Sequence, residues 1–294
     1  MEAKDRDSLH RFLFEQMPVR GEIAHLDASW RAALEPVDYP EVIRDLLGEA
    51  MAAAVLLASS LKFDGSLTLQ LQGGSPLTLL VVQCTSGLNL RGLAHWENDL
   101  PDAGGFRALT GDGARLVVTI EQTGNGERYQ GIVPLEGATL AECFEGYFQR
   151  SEQLPTRLFL AATGQCAAGM LLQVLPGREG DEHAWEHVTA LGQTITPDEL
   201  LQLDAPNILH RLYHEEDVRL FESAPVAFRC SCHRERIADM LRSLGANEAR
   251  DILQEQGSVD VSCEFCGRGY SFDAVDVEAL FATDAPSGGS QSTH

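Results

Sequence analysis

The sequence is short of positive charge, of aromatic residues and of long apolar runs. Only 22 Lys and Arg stand against 44 Asp and Glu, which gives a net charge of −22 over 294 residues. Such a chain repels nucleic-acid phosphates and anionic lipid unless a local basic patch offsets the charge. The longest apolar stretch, 51–61, is far below the roughly 20 residues that span a bilayer. We therefore expect neither nucleic acid nor membrane as a partner.

Signatures of the common nucleotide-binding and hydrolase classes are also missing from the sequence. It contains no P-loop, no G-x-S-x-G elbow and no complete G-x-G-x-x-G fingerprint. The first 13 residues are charged and lack the apolar run of a signal peptide. We therefore predict a cytoplasmic protein, whose thiols are kept reduced. Seven cysteines in that compartment favour metal or redox chemistry over a disulfide framework.

The first part of the chain has the pattern of an α+β domain. Two longer periodic segments predict helices over 40–61 and 139–152, and the first becomes apolar on every face, so its second half should be buried. Short segments bounded by turn residues predict strands. These strands are 20–26, 67–72, 77–83, 90–95, 115–121, 128–134, 157–162 and 168–175. We predict an α+β, sheet-rich core domain with packed helices over 1–177.

Three further segments are predicted after residue 177. Residues 177–225 hold eleven acidic residues against three arginines, and their patterns predict short helices near 182–191, after 196 and near 207–214. Short helices are marginal alone and self-repulsion weakens them further, so 178–225 is predicted to be a metastable helical linker that depends on docking. Residues 226–282 contain four of the seven cysteines, in two close pairs, and are therefore predicted to form a small zinc-binding redox-switch domain. The Pro/Ser/Gly/Thr-rich tail, 283–294, is predicted to be disordered.

The third segment contains the strongest chemical signal, four cysteines in two close pairs. Cys230 and Cys232 flank one serine, and thirty residues later Cys263 and Cys266 are followed by Gly267. Four thiolates supply the tetrahedral S4 site that structural zinc prefers, and glycine permits the tight turn of a zinc knuckle. We predict one zinc ion on these four cysteines. The other three are isolated and predicted to be core residues: Cys84, Cys143 and Cys166.

The spacing of Cys230 and Cys232 also indicates redox chemistry. A disulfide between residues separated by one position closes a small, strained ring, and strained disulfides have labile potentials. Such a pair is oxidised and reduced within a physiological range. The arrangement suggests a zinc site that oxidation dismantles.

Two alternative functions use other features of the sequence. His183, Glu186 and His187 match the H-x-x-E-H pattern of a zinc-dependent hydrolase, and His210 and His214 have the same spacing on a helix. A catalytic zinc needs a third, rigidly held ligand, which an unstable acidic linker supplies poorly. The second alternative is a zinc-ribbon binding module, but 226–281 has six arginines against ten acidic residues and no basic stripe. Metal that is retained after thiol oxidation would support these alternatives.

Several longer motifs accompany the cysteines in a fixed order through nearly the whole chain. They are V-R-G-E at 19–22, L-K-F-D-G at 61–65, R-Y-Q-G at 128–131, S-E-Q-L-P-T-R at 151–157 and Y-H-E-E at 213–216. With the C-S-C and C-E-F-C-G segments, the sequence resembles the heat-shock protein of 33 kDa family, the redox-regulated bacterial chaperones also called 33 kDa chaperonins. His233 departs from the family pattern, in which a small polar residue is expected.

The resemblance implies an ATP-independent holdase that is not an enzyme. In this family the reduced, zinc-bound form is inactive. Oxidants such as hypochlorous acid, or peroxide with heat, convert the cysteines into two disulfides and release zinc. The resemblance implies the pairs Cys230 with Cys232 and Cys263 with Cys266. The C-terminal segment and the linker then unfold, apolar surface becomes available to unfolding client proteins, and the active protein forms a homodimer.

Overall fold

A computed structural model describes residues 6–61, 63–97, 100, 105–124, 126–176 and 182–282. The chain divides into two compact units, Met1–Arg229 and Cys230–His294. The second unit begins four residues after the predicted start of the C-terminal domain, because Val226 is buried in the core of the first unit. The predicted boundary at 177/178 and the predicted disordered tail lie outside the described residues. The division into core, linker and switch domain therefore stays a prediction.

The first unit contains two β-sheets and several helices. Its strands are β1 (Ser8–Phe14), β2 (Val19–Leu26), β3 (Gly65–Gln72), β4 (Leu77–Thr85), β5 (Asn89–Trp96), β6 (Arg115–Gln122), β7 (Arg128–Val133), β8 (Thr156–Ala162), β9 (Ala167–Val174), β10 (Val218–Leu220), β11 (Ala224–Pro225) and β12 (Ala227–Phe228). Its helices are α1 (Ala28–Leu34), α2 (Glu41–Ser60), α3 (Gly105–Thr110), α4 (Leu140–Tyr147), α5 (Glu182–Gly192), α6 (Pro197–Gln202) and α7 (Ala205–Tyr213).

The two sheets are mainly antiparallel. The first has the order β10-β1-β2-β9-β8, with β11 also paired to β1, and the second has the order β12-β5-β4-β3-β6-β7. Only the short β12 joins its neighbour, β5, in parallel among the described pairings. Together with the helices, these sheets confirm the predicted α+β class.

Helix α2 lies between the two sheets, and this position explains its composition. It contacts β2, β8 and β9 of the first sheet and β3, β4 and β5 of the second. Every residue over 50–58 is buried, as the apolar sequence predicts. The helix approaches the first sheet so closely that a Cβ at Gly48 would lie 2.5 Å from the Cβ of Ala162. A larger residue at this position would push the helix away from the sheet.

Helices α5, α6 and α7 cover the opposite face of the first sheet. All residues of β9 are buried, and since successive side chains point to opposite faces, both faces of this strand are covered. Ala168, Met170 and Leu172 pack with the buried apolar residues of the three helices, which include Ile208 and Leu212. These helices confirm the predicted short helices of the acidic segment. They are stabilised by apolar packing on the sheet, which short helices need.

The second unit is small. It contains α8 (Arg234–Leu244), α9 (Ala246–Gln256), β13 (Val259–Ser262), β14 (Gly269–Phe272) and α10 (Ala274–Ala282). Strands β13 and β14 form an antiparallel hairpin. Arg234 stacks over the ring of Phe272 at 4.2 Å, and Arg250 forms two hydrogen bonds of 2.7 and 2.8 Å with Glu278. Its buried apolar core contains Ile237, Ala238, Leu241, Ala249, Val259, Phe272, Val277 and Leu280.

Several elements differ from the sequence-based expectations. The predicted helix over 139–152 ends at Tyr147 and continues as a π-helical segment, Phe148–Glu152, before Gln153 adopts a left-handed conformation. Elements β1, α1, α3 and α10 were not predicted, nor were β10, β11 and β12. The last three are two or three residues long, too short to show a period. Among the described residues, no helix has the length and apolarity to cross a membrane.

Candidate metal centre

Two segments of the second unit bring the four predicted cysteines together. Cys230 and Cys232 precede α8, and Cys263 and Cys266 lie in the connection between β13 and β14. The Sγ atoms of Cys230 and Cys263 are 3.6 Å apart, and those of Cys232 and Cys266 are 3.3 Å apart. All four Sγ atoms lie within 4.8 Å of one another, and all four residues are half-buried. Each close contact joins one cysteine from each sequence pair.

The turn that holds Cys263 and Cys266 has the geometry of a zinc knuckle. The Gly267 N–H donates to the Cys263 carbonyl oxygen at 2.7 Å, and Gly267 has φ of 67°, a left-handed conformation that favours glycine. The Cys263 thiol accepts from the backbone N–H groups of Phe265 and Cys266, and the Cys266 thiol accepts from that of Arg268. Backbone N–H groups that face sulfur favour the thiolate form, which is the form that binds metal.

The four sulfurs fit a tetrahedral metal ion. Zinc–sulfur bonds of about 2.3 Å place the sulfurs of a tetrahedral site about 3.8 Å apart. The observed cluster has this size. Within the described residues, these cysteines are the one group of three or more His, Cys, Asp or Glu side chains close enough to share an ion. The cluster therefore offers a metal site, and four sulfur ligands are typical of zinc or iron.

Tyr270 is a neighbour of the site that the sequence analysis did not identify as functional. Its hydroxyl donates a hydrogen bond of 3.2 Å to the Cys232 sulfur. Burial of Cys232 opposes its ionisation and so raises its pKa. The hydrogen bonds from Tyr270 and from the other three cysteines have the larger, opposite effect, and they lower the pKa of Cys232 to about 7. Burial instead raises the pKa of Cys266 to about 12. The cluster thus favours the thiolate form of Cys232, which the hydrogen bond from Tyr270 stabilises.

His233 directly follows Cys232 in sequence but is not part of the cluster. It occupies the position before the first turn of α8, and its Nδ1 lies 3.0 Å from the Ser231 carbonyl oxygen. Because a carbonyl oxygen only accepts, Nδ1 carries the hydrogen in this contact. The side chain is exposed and is not among the residues that could share the ion.

The other three cysteines are separate from the cluster. Cys84 and Cys143 are buried in the first unit, and burial raises the pKa of the Cys84 thiol to about 12. Cys166 is half-buried and lies 3.9 Å from the Leu201 carbonyl oxygen. Burial confirms the prediction that Cys84 and Cys143 are core residues, whereas the prediction is wrong for Cys166, which is not part of the buried core.

The histidines of the alternative hydrolase site are not gathered around a shared position. His183 is fully exposed, and the Nε2 of His187 donates to a carboxylate oxygen of Glu216 at 2.7 Å. His210 and His214 contact each other edge to face, with ring centroids 5.9 Å apart. No third ligand joins either pair within the described part of the chain. The structure therefore provides no catalytic zinc geometry at these histidines.

Comparison with known proteins places this geometry in a family. Residues 7–273 match the family described as Hsp33 protein. The chain belongs to the Hsp33 family. It is 51% identical to the 33 kDa chaperonin of Nitrosococcus oceani, over 94% of this chain and 95% of that protein. It is 45% identical to the 33 kDa chaperonin of Chromobacterium violaceum over the full length of both.

A solved structure supports the fold assignment. The crystal structure of the 33 kDa chaperonin (heat shock protein 33 homolog) from Thermotoga maritima superimposes with a TM-score of 0.80. The alignment covers 95% of this chain and all of that chain, at 23% sequence identity. The fold of this Hsp33 family member is therefore shared with a relative of low sequence identity.

Proposed function

We propose that this Hsp33 family member is a redox-regulated, ATP-independent holdase that binds unfolding proteins and prevents their aggregation under oxidative stress. One observation carries the proposal: four thiols lie within 4.8 Å of one another in a chain whose full-length relatives are named 33 kDa chaperonin. A holdase binds its clients without chemical turnover, so the protein is a chaperone and not an enzyme.

In the reduced state, Cys230, Cys232, Cys263 and Cys266 would hold one zinc ion. Bound zinc supplies folding free energy, about 10–16 kcal/mol in isolated zinc modules. The second unit needs such a contribution because its core contains only eight buried apolar side chains among the described residues. The four cysteines then join the segment before α8 to the β13–β14 hairpin.

Oxidation would switch the protein on. Each pair of zinc-bound thiolates forms a disulfide by giving two electrons to the oxidant, and hypochlorous acid takes up these electrons and one proton from the solvent to become chloride and water. Disulfides are poor ligands, so the zinc site is lost. The family resemblance supports the pairs Cys230–Cys232 and Cys263–Cys266. In the thiol form, contacts of 3.6 and 3.3 Å join Cys230 to Cys263 and Cys232 to Cys266, so peptide mapping of the oxidised protein decides the pairing.

The acidic helices α5, α6 and α7 would be the elements released. These helices bury apolar side chains against the first sheet, among them Leu200, Ile208, Leu209 and Leu212. Release of the helices would expose these side chains and the face of the sheet that the helices cover. Exposed apolar surface binds the apolar segments of unfolding clients. The acidic residues of the same helices keep the released segment soluble.

Assembly and location complete the proposal. The activated form would be a homodimer, and its clients would be unfolded or partly unfolded proteins. The protein would be located in the cytoplasm, where reduced thiols are available to an oxidant. The chain's net charge of −22 disfavours nucleic acid and anionic membranes as partners.

A client-aggregation assay tests the function. Light scattering of a thermally unfolding client should be suppressed by oxidised protein and unaffected by the reduced, zinc-loaded protein. Cys166→Ser should behave like the wild type, whereas Cys263→Ser should no longer require oxidation. Equal suppression by the reduced and oxidised wild-type protein would exclude the redox switch.

A further inference from the structure

A cleft lies at the edge of the first sheet, and none of the four cysteines lines it. Strand β8 is the last strand of this sheet, and α2 packs on one of its faces while α6 packs on the other. At this edge the two helices and the beginning of α4 enclose a cleft of about 220 Å³. An apolar cavity of about 150 Å³ is large enough to bind benzene. The cleft therefore has room for an aromatic ring with a short substituent.

The cleft has apolar walls and a single charged group. Leu158, Leu160, Ile195 and Leu200 provide apolar wall, and the remaining lining residues other than Glu49 are uncharged. Glu49 projects from α2 and is half-buried. Within the described residues, no arginine, lysine or hydrogen-bond donor is paired with its carboxylate. A carboxylate at an apolar site is costly unless a partner compensates its charge.

The ionisation of Glu49 reflects this lack of a partner. Burial, with a smaller contribution from the neighbouring Asp45 carboxylate, raises the pKa of Glu49 to about 7. The Asp45 carboxylate is itself paired with Arg44 at 2.8 Å, so this arginine is already engaged. The cleft thus combines apolar surface with one carboxyl group that no described arginine or lysine neutralises.

We propose that this cleft is a binding site for a small organic cation, a primary ammonium or guanidinium group attached to an apolar body of about one ring. The cation forms a charge-assisted hydrogen bond with the Glu49 carboxylate, and the apolar body contacts Leu158, Leu160 and Leu200. A neutral ligand of the same shape gains the apolar contacts alone. An anion is excluded because the one charge of the cleft is negative.

Binding at this site is coupled to the position of α6. Ile195 and Leu200 supply part of the wall, so the complete cleft exists only while α6 is docked on the sheet. A ligand that binds the docked arrangement stabilises it by mass action. That such a ligand would inhibit activation rests on the proposed function. The binding of the ligand does not, since binding is measured on reduced protein without oxidant or client.

Binding of benzylamine, which is a cation at neutral pH, to the full-length reduced protein tests the site. Titration followed by methyl resonances of Ala141 and Leu200 should give saturable binding, about tenfold tighter than that of benzyl alcohol. Glu49→Gln should weaken benzylamine binding by about tenfold and leave benzyl alcohol unchanged. Glu41→Gln, on the exposed start of the same helix, is the matched control and should bind like the wild type.

A second variant distinguishes binding in the cleft from a general attraction between the ligand's positive charge and the acidic protein. Ala141→Leu adds a side chain to the cleft wall and keeps Glu49, so it should abolish binding of both ligands while the fold, followed by circular dichroism, is retained. Equal benzylamine binding by wild type and Glu49→Gln, or no saturable binding up to about 10 mM, would overturn the proposal. Binding that persists without any effect of oxidant on client aggregation would overturn the proposed function and leave the site intact.

Discussion

The Nε2 of His25 lies 3.0 Å from the carbonyl oxygen of Leu200, and this hydrogen bond joins β2 of the first sheet to α6 of the acidic segment. Because the carbonyl oxygen only accepts, Nε2 carries the hydrogen and the neutral imidazole already satisfies the contact. Burial lowers the pKa of His25, and the bond to Leu200 opposes this shift. His25 is therefore a polar anchor of α6 within a mainly apolar interface.

We predict that acid weakens the docking of α6 through His25. A histidine with a lowered pKa contributes stability that is present above its unfolded value, 6.5, and is lost as pH falls through the lower folded value. Amide protection over 197–202, corrected for intrinsic exchange, should decrease between about pH 7 and 5. His25→Gln keeps a donor without titrating, so its protection should depend less on pH. An equally steep loss in this variant would assign the effect to another group.

The four-cysteine assignment predicts the metal content of single variants. Cys→Ser at position 230, 232, 263 or 266 should lower zinc per reduced chain, because loss of one sulfur removes a ligand from a site on which a small core depends. The matched controls Cys84→Ser, Cys143→Ser and Cys166→Ser should retain one zinc per chain. Atomic emission on gel-filtered protein measures the content. Wild-type zinc after substitution of two of the four would contradict the assignment.

His233 is predicted not to be a ligand. Four sulfurs complete a tetrahedral shell, and the His233 ring is directed to the Ser231 carbonyl oxygen. Competition with a chromogenic chelator should give a zinc affinity for His233→Ser within a few-fold of the wild type. A tenfold or greater loss would mean that imidazole takes part in binding.

The sequence predicts those parts of the fold and site that have a local pattern. Helix α2 was recognisable because the apolar residues of its second half leave no polar face there. The metal centre was recognisable because the two members of each cysteine pair, and Gly267, are close in sequence. The edge strand β10 was missed because its three residues form a strand only by pairing with β1. Tyr270 looks like any aromatic residue of a hairpin, and its bond to Cys232 depends on how the two segments pack. Interactions between distant segments carry no periodic signal.

Glu22 gives a stability prediction for the first unit. It is 2% exposed, and burial raises its pKa to about 7 against the opposing effect of Arg20. A carboxyl whose folded pKa is raised contributes stability that is present below the unfolded value, 4.5, and is lost as pH rises through about 7. Glu22→Gln should therefore raise the free energy of unfolding at pH 8 by roughly 1–3 kcal/mol and have less effect at pH 5.

Urea unfolding monitored by the buried Trp30 measures this difference. Glu41→Gln, at an exposed position, is the matched control and should leave the free energy of unfolding unchanged within about 0.5 kcal/mol at both pH values. A Glu22→Gln effect that does not change between pH 5 and pH 8 would show that the pKa of Glu22 in the folded protein is not raised above its unfolded value.

The last prediction concerns the release of α5, α6 and α7. These helices are short and acidic, and their stability comes from apolar packing on the first sheet, so a loss of only a few kcal/mol undocks them. Hydrogen exchange should show protected amides over 182–213 in the reduced, zinc-loaded protein and loss of that protection after oxidation. Strand β9, buried on both faces, should stay protected and serves as the internal control. If the helices keep their protection after zinc has left and holdase activity has appeared, clients bind another surface, because the sheet face beneath Ile208 and Leu212 is then still covered.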